Sequence, residues 1–326
     1  MPALNRIMSE VSDRKLRLGT RASALALWQS NWVALQLRDV GFDVELIEIS
    51  TQGDVRSGPI GEIGSQGVFT KEIQRALLED EVDFAVHSLK DLPTEAIPGL
   101  CLTCVPPRER VGDVLVSNSI GSFEEIPEGA LIGTGSMRRK AQLLNQRPDL
   151  RIEDIRGNVD TRLQKLDDGQ YQAIILAESG LKRLGLDKRI THVIDHSVML
   201  PAVGQGALGI ECRENDSYVR EALAHLNHAD SFISITAERA MLRALRAGCL
   251  APVGAFGQII DSELRLQGVV LSGTGALRVD AQAEVALAEL SESKQMEAAD
   301  VLGQAVADDL IHQGATELIA EARENE

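Results

Sequence analysis

Along the chain, short apolar runs alternate with stripes of apolar residues spaced three or four apart. Leu16–Leu18 predicts a short strand, and Gly19-Thr20-Arg21-Ala22-Ser23 a turn into a helix carrying Leu25, Trp28, Trp32 and Leu35 on one stripe. Val44–Ile49 predicts the next strand, Phe69, Ile73, Ala76 and Leu77 a second amphipathic helix, and Val82–Val86 a buried strand. A similar unit starts near Ala130. Ala130–Ile132 reads as a strand, Gly133-Thr134-Gly135-Ser136 as a turn, Met137–Asn145 as a helix and Arg151–Ile155 as a strand. Val159, Leu163 and Leu166 mark a helix that Gly169 stops, and Ala173–Ala177 is a wholly apolar strand. Strands alternating with helices predict α/β architecture, and the repeated strand, Gly-Thr turn and nearby serine point to two α/β domains of similar plan. From about Ser231 the pattern changes. A helix through Met241, Leu242 and Leu245 ends at Gly248, strand-like segments follow at Val253–Ile260, Leu264–Leu271 and Val279–Ala286, and a long helix starts near Ser291. This predicts a smaller α+β third domain.

Composition narrows the partners. The 326 residues accommodate two or three domains at roughly 100–200 residues each. A net charge of −16, from 33 basic and 49 acidic residues, repels nucleic acid and anionic membranes. Aromatics make up 3%, too few for base-stacking platforms. The N-terminal MPALNRIMSEVSDRK holds no apolar signal region, and no apolar run approaches spanning length. The expectation is a cytoplasmic protein without nucleic-acid or membrane partners, and a monomer, since nothing points to a large apolar interface. Four cysteines fit a reducing compartment. Cys101 and Cys104 form a CxxC, but in a strand residues three apart face opposite sides. With no second pair, a metal site is not expected, and Cys101, Cys104 and Cys212 read as small core residues.

Three motifs are decoys. Gly204-Gln205-Gly206-Ala207-Leu208-Gly209 has dinucleotide-loop spacing but runs into an extended segment instead of a helix. GPIGEIGSQG, residues 58–67, has collagen-like spacing over too few units and predicts a mobile loop, either a lid or a plain connector. His87, Ser88 and Asp91 are too close in sequence to form a hydrolase relay.

The positive signal lies in Arg21, Arg138, Arg139, Arg156, Arg162 and Arg183, all at or near strand-to-helix turns. Open α/β sheets bind ligands at those strand ends, where helix N-termini also favour anions. Guanidinium groups grip carboxylates with paired hydrogen bonds, so basic turns on an acidic protein suit a small polycarboxylate; singly, each arginine fits an ordinary surface pair. Asp91 follows a buried strand and is placed either to stabilise a cation and pass protons or to open the turn before Pro93. Cys249 lies just beyond Gly248, where a loop thiolate is a nucleophile; taken alone it reads as a core or incidental cysteine.

Ten segments in order resemble the porphobilinogen deaminase (hydroxymethylbilane synthase) family: LGTRASALALWQ, TQGD, GVFTKEI, DFAVHSLKDLPT, GTGSMRRKAQL, RPDLRIEDIRGNVDTRLQKLDDGQYQAIILA, GLKRLG, LPAVGQGALGIECR, TAERAMLRAL and AGCLAPVG. The resemblance implies two periplasmic-binding-protein-like α/β domains flanking a cleft, residues 16–106 with a return segment 207–224 and residues 112–200, plus an α+β domain 229–326. It implies a transferase of tetrapyrrole (heme) biosynthesis that joins four porphobilinogens into hydroxymethylbilane with release of ammonia. A dipyrromethane cofactor would be held by a thioether to Cys249, with Asp91 catalytic. By motif position Asp91, Ser88, Lys90, Thr134, Ser136, Arg138 and Arg139 resemble cofactor-binding residues, and Arg21, Ser23, Arg156 and Arg162 resemble substrate-binding ones, with Arg183 and Gln205 in support. Two positions depart from the family pattern: Gln66 stands where lysine is usual, and Gly135 where serine is usual. The rival reading is a non-catalytic solute-binding or effector-sensing protein with the same cleft, which would need neither Cys249 nor Asp91.

Overall fold

The computed structural model describes residues 14–50, 70–248 and 251–324, so the expectations for loop 58–67, Gln66, Phe69 and Cys249 lie outside the described residues. Strands β1 (Leu16–Thr20), β2 (Val44–Glu48), β3 (Phe84–Ser88), β4 (Leu100–Cys104) and β10 (Leu208–Arg213) form one sheet, ordered β2-β1-β3-β10-β4. Strands β5 (Asp113–Val116), β6 (Leu131–Gly133), β7 (Arg151–Glu153), β8 (Ala173–Ala177) and β9 (His192–Val193) form a second, ordered β7-β6-β8-β5-β9. Both sheets follow one plan. Three parallel strands are joined by an antiparallel fourth that borders a crossing between the sheets: β5 on the way out, β10 on the way back.

Helices α1 (Ala24–Asp39), α2 (Lys71–Leu78) and α6 (Ser217–Ala224) accompany the first sheet, and α3 (Met137–Gln146), α4 (Val159–Asp167) and α5 (Glu178–Arg183) the second. The third unit is an antiparallel meander, β11 (Val253–Ile260), β12 (Glu263–Leu271) and β13 (Arg278–Ala286), packed against α7 (Ala229–Ala244), α8 (Glu292–His312) and α9 (Ala315–Glu324). The fold is thus two α/β units of like topology plus a smaller α+β unit. Among the described residues no helix is long and apolar enough to cross a membrane.

Two local expectations need correction. The buried stripe of α1 is Gln29, Ser30, Val33, Ala34 and Leu37, whereas Trp28 is 38% and Leu35 53% exposed. Two faces of this helix had helical spacing. Polar contacts chose between them, because Ser30 Oγ donates to Thr20 Oγ1 at 2.8 Å and Gln29 Nε2 to Ser88 Oγ at 2.8 Å, both acceptors at strand ends. The second correction concerns Cys101 and Cys104. Ile210 pairs with Cys104 but Glu211 with Leu102, so Thr103 is the extra residue of a bulge on β4. The added residue restores the face, and both cysteines pack against the cluster that holds Cys212 and Phe84. Gly204–Gln205–Gly206 forms a turn that runs into strand β10 and not into a helix, unlike a dinucleotide-binding loop.

Both crossings are fixed to the third unit by Glu238 on α7, which is fully buried. Its carboxylate accepts from Arg108 Nη1 at 2.7 Å and Nη2 at 3.1 Å, from Gly204 N at 2.8 Å and from Gly257 N at 2.8 Å. Four donors satisfy a charge that burial would otherwise make costly. The crossings also touch each other. Glu109 N donates to Gly206 O at 3.2 Å, and a Cβ on Gly206 (φ +83°) would meet Glu109 O at 2.5 Å. Glycine is therefore required there both for backbone conformation and for space.

Candidate active site

Most candidate residues sit at strand ends or in the first helical turn that follows, but Arg183 is the last residue of α5 and not at a strand-to-helix turn. In the first sheet β1 ends at Thr20, followed by half-buried Arg21 and by Ser23, which caps α1 by accepting from Ala26 N at 3.4 Å. Strand β3 ends at Ser88 and passes into a single 3₁₀ turn, Leu89–Asp91. Leu89 is buried beneath that turn, which leaves Lys90 half-buried and Asp91 exposed. In the second sheet β6 ends at Gly133. Thr134 Oγ1 accepts from Ser136 N at 3.3 Å, and Ser136 caps α3 by accepting from Arg139 N at 3.4 Å. The first turn of α3 thus carries Arg138 and Arg139 inward, where they are 4% and 5% exposed.

These two arginines close on Asp113, at the start of β5, which sequence reasoning missed. Arg138 Nη1 donates to Asp113 Oδ2 at 2.7 Å and to Leu200 O at 2.6 Å; Arg139 Nε donates to Asp113 Oδ1 at 2.9 Å and Nη1 to Ile175 O at 3.0 Å. Burial alone would raise the Asp113 pKa, but the two guanidinium charges outweigh it and hold the carboxyl well below the usual range. The signal was available: two adjacent buried arginines need an anion, and Asp113 heads an apolar run.

The remaining candidates divide. Burial and the repulsion of Arg139 push Lys90 down to about 8, with Asp91 and Asp113 opposing that. Burial and the same Arg139 charge lower Arg162, which Asp154 and Asp91 partly offset. Lys90, Asp91, Arg138, Arg139 and Arg162 therefore share one electrostatic site with an excess of positive charge. Arg162 Nε also donates to Gly157 O at 2.8 Å, and exposed Arg156 pairs with Asp154 at 2.6 Å. Arg183 and Gln205 face the crossings instead. Arg183, pushed down to about 10 by burial, donates to Gly206 O at 2.7 Å. Gln205 Nε2 donates to Val111 O at 2.7 Å and to Asp113 Oδ1 at 3.0 Å.

A cavity of about 60 Å³ joins all three units. Lys90 and Thr94 line it from the first, Ser136 and Arg138 from the second, Arg239 and Gly248 from the third, with Ala251 beyond. Arg239, on α7, donates to Leu92 O at 3.0 Å and to Pro93 O at 2.7 Å, so it clamps the chain just after Asp91. It too escaped the sequence reading, because an arginine on a helical face looks like solvated surface.

Residues 16–221 match the family profile described as "Porphobilinogen deaminase, dipyromethane cofactor binding domain", and residues 232–312 match "Porphobilinogen deaminase, C-terminal domain". The chain belongs to the porphobilinogen deaminase family. A porphobilinogen deaminase of Pelobacter propionicus is 45% identical over 316 residues, covering 96% of this chain and 99% of that one. Among solved structures, the methionine-binding protein MetQ aligns with a TM-score of 0.44 at 14% identity, over 69% of this chain and 94% of its own. The Bordetella pertussis BvgS VFT2 domain aligns at 0.40 and 14% identity, over 74% and 97%.

The first porphobilinogen deaminase match spans both five-stranded sheets, and the second spans Cys249. A dipyrromethane cofactor is an acetate- and propionate-bearing pyrrole pair, so a site that holds it must offer cations to its carboxylates. The residues present fit that demand. Lys90 and Arg138 line the cavity that Gly248 and Ala251 border, and the buried Arg138 Nε has no hydrogen-bond partner among the described residues. Charged donors held out of water in this way are preorganised for carboxylate.

Proposed function

We propose that this chain is a hydroxymethylbilane synthase, a transferase that condenses four porphobilinogens head to tail with loss of four ammonia molecules. The primer is a dipyrromethane in thioether linkage to Cys249. The division is residues 16–106 with 207–224, residues 112–200, and residues 229–326, acting as a cytoplasmic monomer. The observation that carries this reading is the cavity where Lys90, Ser136, Arg138 and Arg239 meet the residues flanking position 249.

When bound, the dipyrromethane supplies a nucleophilic pyrrole α-carbon to which the first unit is joined. Ser88, Lys90, Thr134, Ser136, Arg138 and Arg139 would hold its carboxylates, while Asp113 braces the two arginines by accepting from both. Arg21, Ser23, Arg156 and Arg162 receive the acetate and propionate of incoming substrate and of the growing chain, with Arg183 and Gln205 fixing the crossings behind them. Asp91 stands at the exposed end of the 3₁₀ turn, where its carboxylate stabilises the positive charge left on porphobilinogen as the C–N bond breaks and ammonia departs. The same carboxylate then accepts the α-proton whose loss, after the new carbon–carbon bond has formed, restores aromaticity. Arg239 keeps the Asp91 turn in register with the third unit.

The test is to incubate the protein with porphobilinogen and measure ammonia and linear tetrapyrrole together. Asp91→Asn should retain cofactor and lose turnover by about 10²–10⁴-fold. Turnover within a few-fold of the parent would reassign Asp91 to a structural role. Binding of porphobilinogen with no ammonia release by the parent would favour the solute-binding reading.

A further inference from the structure

The bulge at Thr103 turns three cysteines onto one face of the first sheet, far from the cavity in register. Cys101 lies directly opposite Cys212 on adjacent antiparallel strands, and their sulfurs are 4.0 Å apart. Thr103 Oγ1 sits between them, 3.0 Å from Cys101 Sγ and 2.9 Å from Cys212 Sγ. Cys101 is partly exposed, whereas Cys104 and Cys212 are buried. We propose that Cys101 and Cys212 form a peroxide-reactive dithiol, in which Cys101 is oxidised first and Cys212 resolves it to a reversible disulfide.

The division of labour follows from the surroundings. Cys101 is the sulfur that a small hydrophilic oxidant can reach. Hydrogen bonds from Cys212 and Thr103, opposed by burial, favour its thiolate and lower it to about 6. Cys212 is pushed the other way by its neighbour and by burial, and Cys104 is pushed up to about 12 by burial alone, which leaves it inert. The thiolate of Cys101 attacks hydrogen peroxide. An S–O bond forms, the O–O bond breaks, and the departing hydroxide takes a proton to leave as water. The Cys212 sulfur then attacks the Cys101 sulfur. An S–S bond forms, the S–O bond breaks, and hydroxide leaves with the Cys212 proton as a second water. Two thiols and one peroxide thus give one disulfide and two waters.

Geometry also makes the bond reversible. Directly opposed strand residues hold their Cβ atoms about 4.5–5.5 Å apart, and a relaxed disulfide prefers about 3.5–4.5 Å. Closure therefore draws the strands together at the bulge, and a bond closed under tension is readily reduced. The pair sits four residues along β10 from Leu208, which faces Ser88, so the reaction does not touch the residues assigned to catalysis.

The test uses the cofactor-bearing protein, exposed to graded hydrogen peroxide, blocked with a maleimide and mapped by mass spectrometry without reduction. The expected product is a linked peptide pair containing Cys101 and Cys212, lighter than the two peptides by two hydrogens and abolished by dithiothreitol. Cys104→Ser should leave the link intact. In Cys212→Ser, the oxidised Cys101 should persist as a sulfenic acid that dimedone traps, at least tenfold above the untreated level. Cys101→Ser, at the partly exposed position, should leave Cys212 unmodified and supplies the control if Cys212→Ser folds poorly. A link through Cys104, direct passage of Cys101 to sulfinic acid, or unreacted thiols in peroxide that oxidises added glutathione would each overturn the proposal.

Discussion

Removing the charge of Lys90 should stabilise the protein when no cofactor is attached and destabilise it when cofactor is present. Lys90 is held at a cost, because burial and two guanidinium neighbours disfavour its protonated form. Displacement from 10.5 to about 8 corresponds to about 3 kcal/mol between charged and neutral forms. The side chain is only half-buried, and solvent relaxation trims this to about 1–2 kcal/mol. Lys90→Met preserves the aliphatic stem and deletes the charge. In a Cys249→Ala background, which blocks cofactor attachment, the substitution should raise the thermal midpoint at neutral pH by about 2–6 °C. The sign with pH is fixed. The folded state holds the proton less tightly than the unfolded chain, so the gap between parent and variant is full below pH 8, narrows as pH rises, and vanishes above 10.5. With Cys249 intact and the cofactor loaded, Lys90 faces carboxylates and the order of the two midpoints should invert. Scanning calorimetry of the four proteins at several pH values checks all of this. A lower midpoint for the cofactor-free variant at neutral pH, or a gap indifferent to pH, would refute the reasoning.

Replacing Arg138 and Arg139 together by leucine should block cofactor loading but also cost about 3–5 kcal/mol of stability, since Asp113 is left buried without a countercharge. Adding Asp113→Leu should restore the denaturation midpoint without restoring loading, and a double variant as stable as the parent would contradict this. Asp83, fully buried, accepts from Arg14, Arg17 and Arg213; burial would raise it, but the Arg17 bonds prevail and hold it at about 2. Its contribution of about 2 kcal/mol is present above pH 4 and lost as pH falls through 2, so Asp83→Asn and the parent should differ in urea stability at pH 7 and converge near pH 2. Arg239→Ala should lower kcat on the order of tenfold with the KM for porphobilinogen little changed, and Arg239→Lys should recover part of it; a loss of thermal stability with kcat intact would make Arg239 purely structural.

Much of the fold was legible because most elements obey one local rule at a time. Ala173–Ala177 is apolar throughout and buried on both sides, and Gly169 stops α4 at the predicted place with φ +75°. What failed needed information from elsewhere in the chain. The orientation of α1 was decided by hydroxyls on Thr20 and Ser88, which no helical periodicity reports. The shared face of Cys101 and Cys104 depended on a bulge set by the register of β10, a strand that begins 104 residues after β4 ends, at Leu208 against Cys104. At the site, the strand-end rule brought Lys90, Asp91, Arg138, Arg139 and Arg162 within electrostatic reach. It could not foresee that Arg138 and Arg139 would be braced by Asp113, nor that Arg183 and Gln205 would turn toward the crossings.

The late return of β10 to the first sheet has a bearing on biosynthesis. The ribosome releases β5 to β9 as an uninterrupted series, so the second sheet can close once Val193 has emerged. The first sheet began earlier but must wait for β10, without which β3 and β4 have no strand between them. During that interval the buried edge of β3, with Phe84 and Val86, is open to stray pairing. The nascent chain therefore matures out of order, its first-made half last, and truncations between residues 106 and 208 should lean on chaperones far more than truncations after 213.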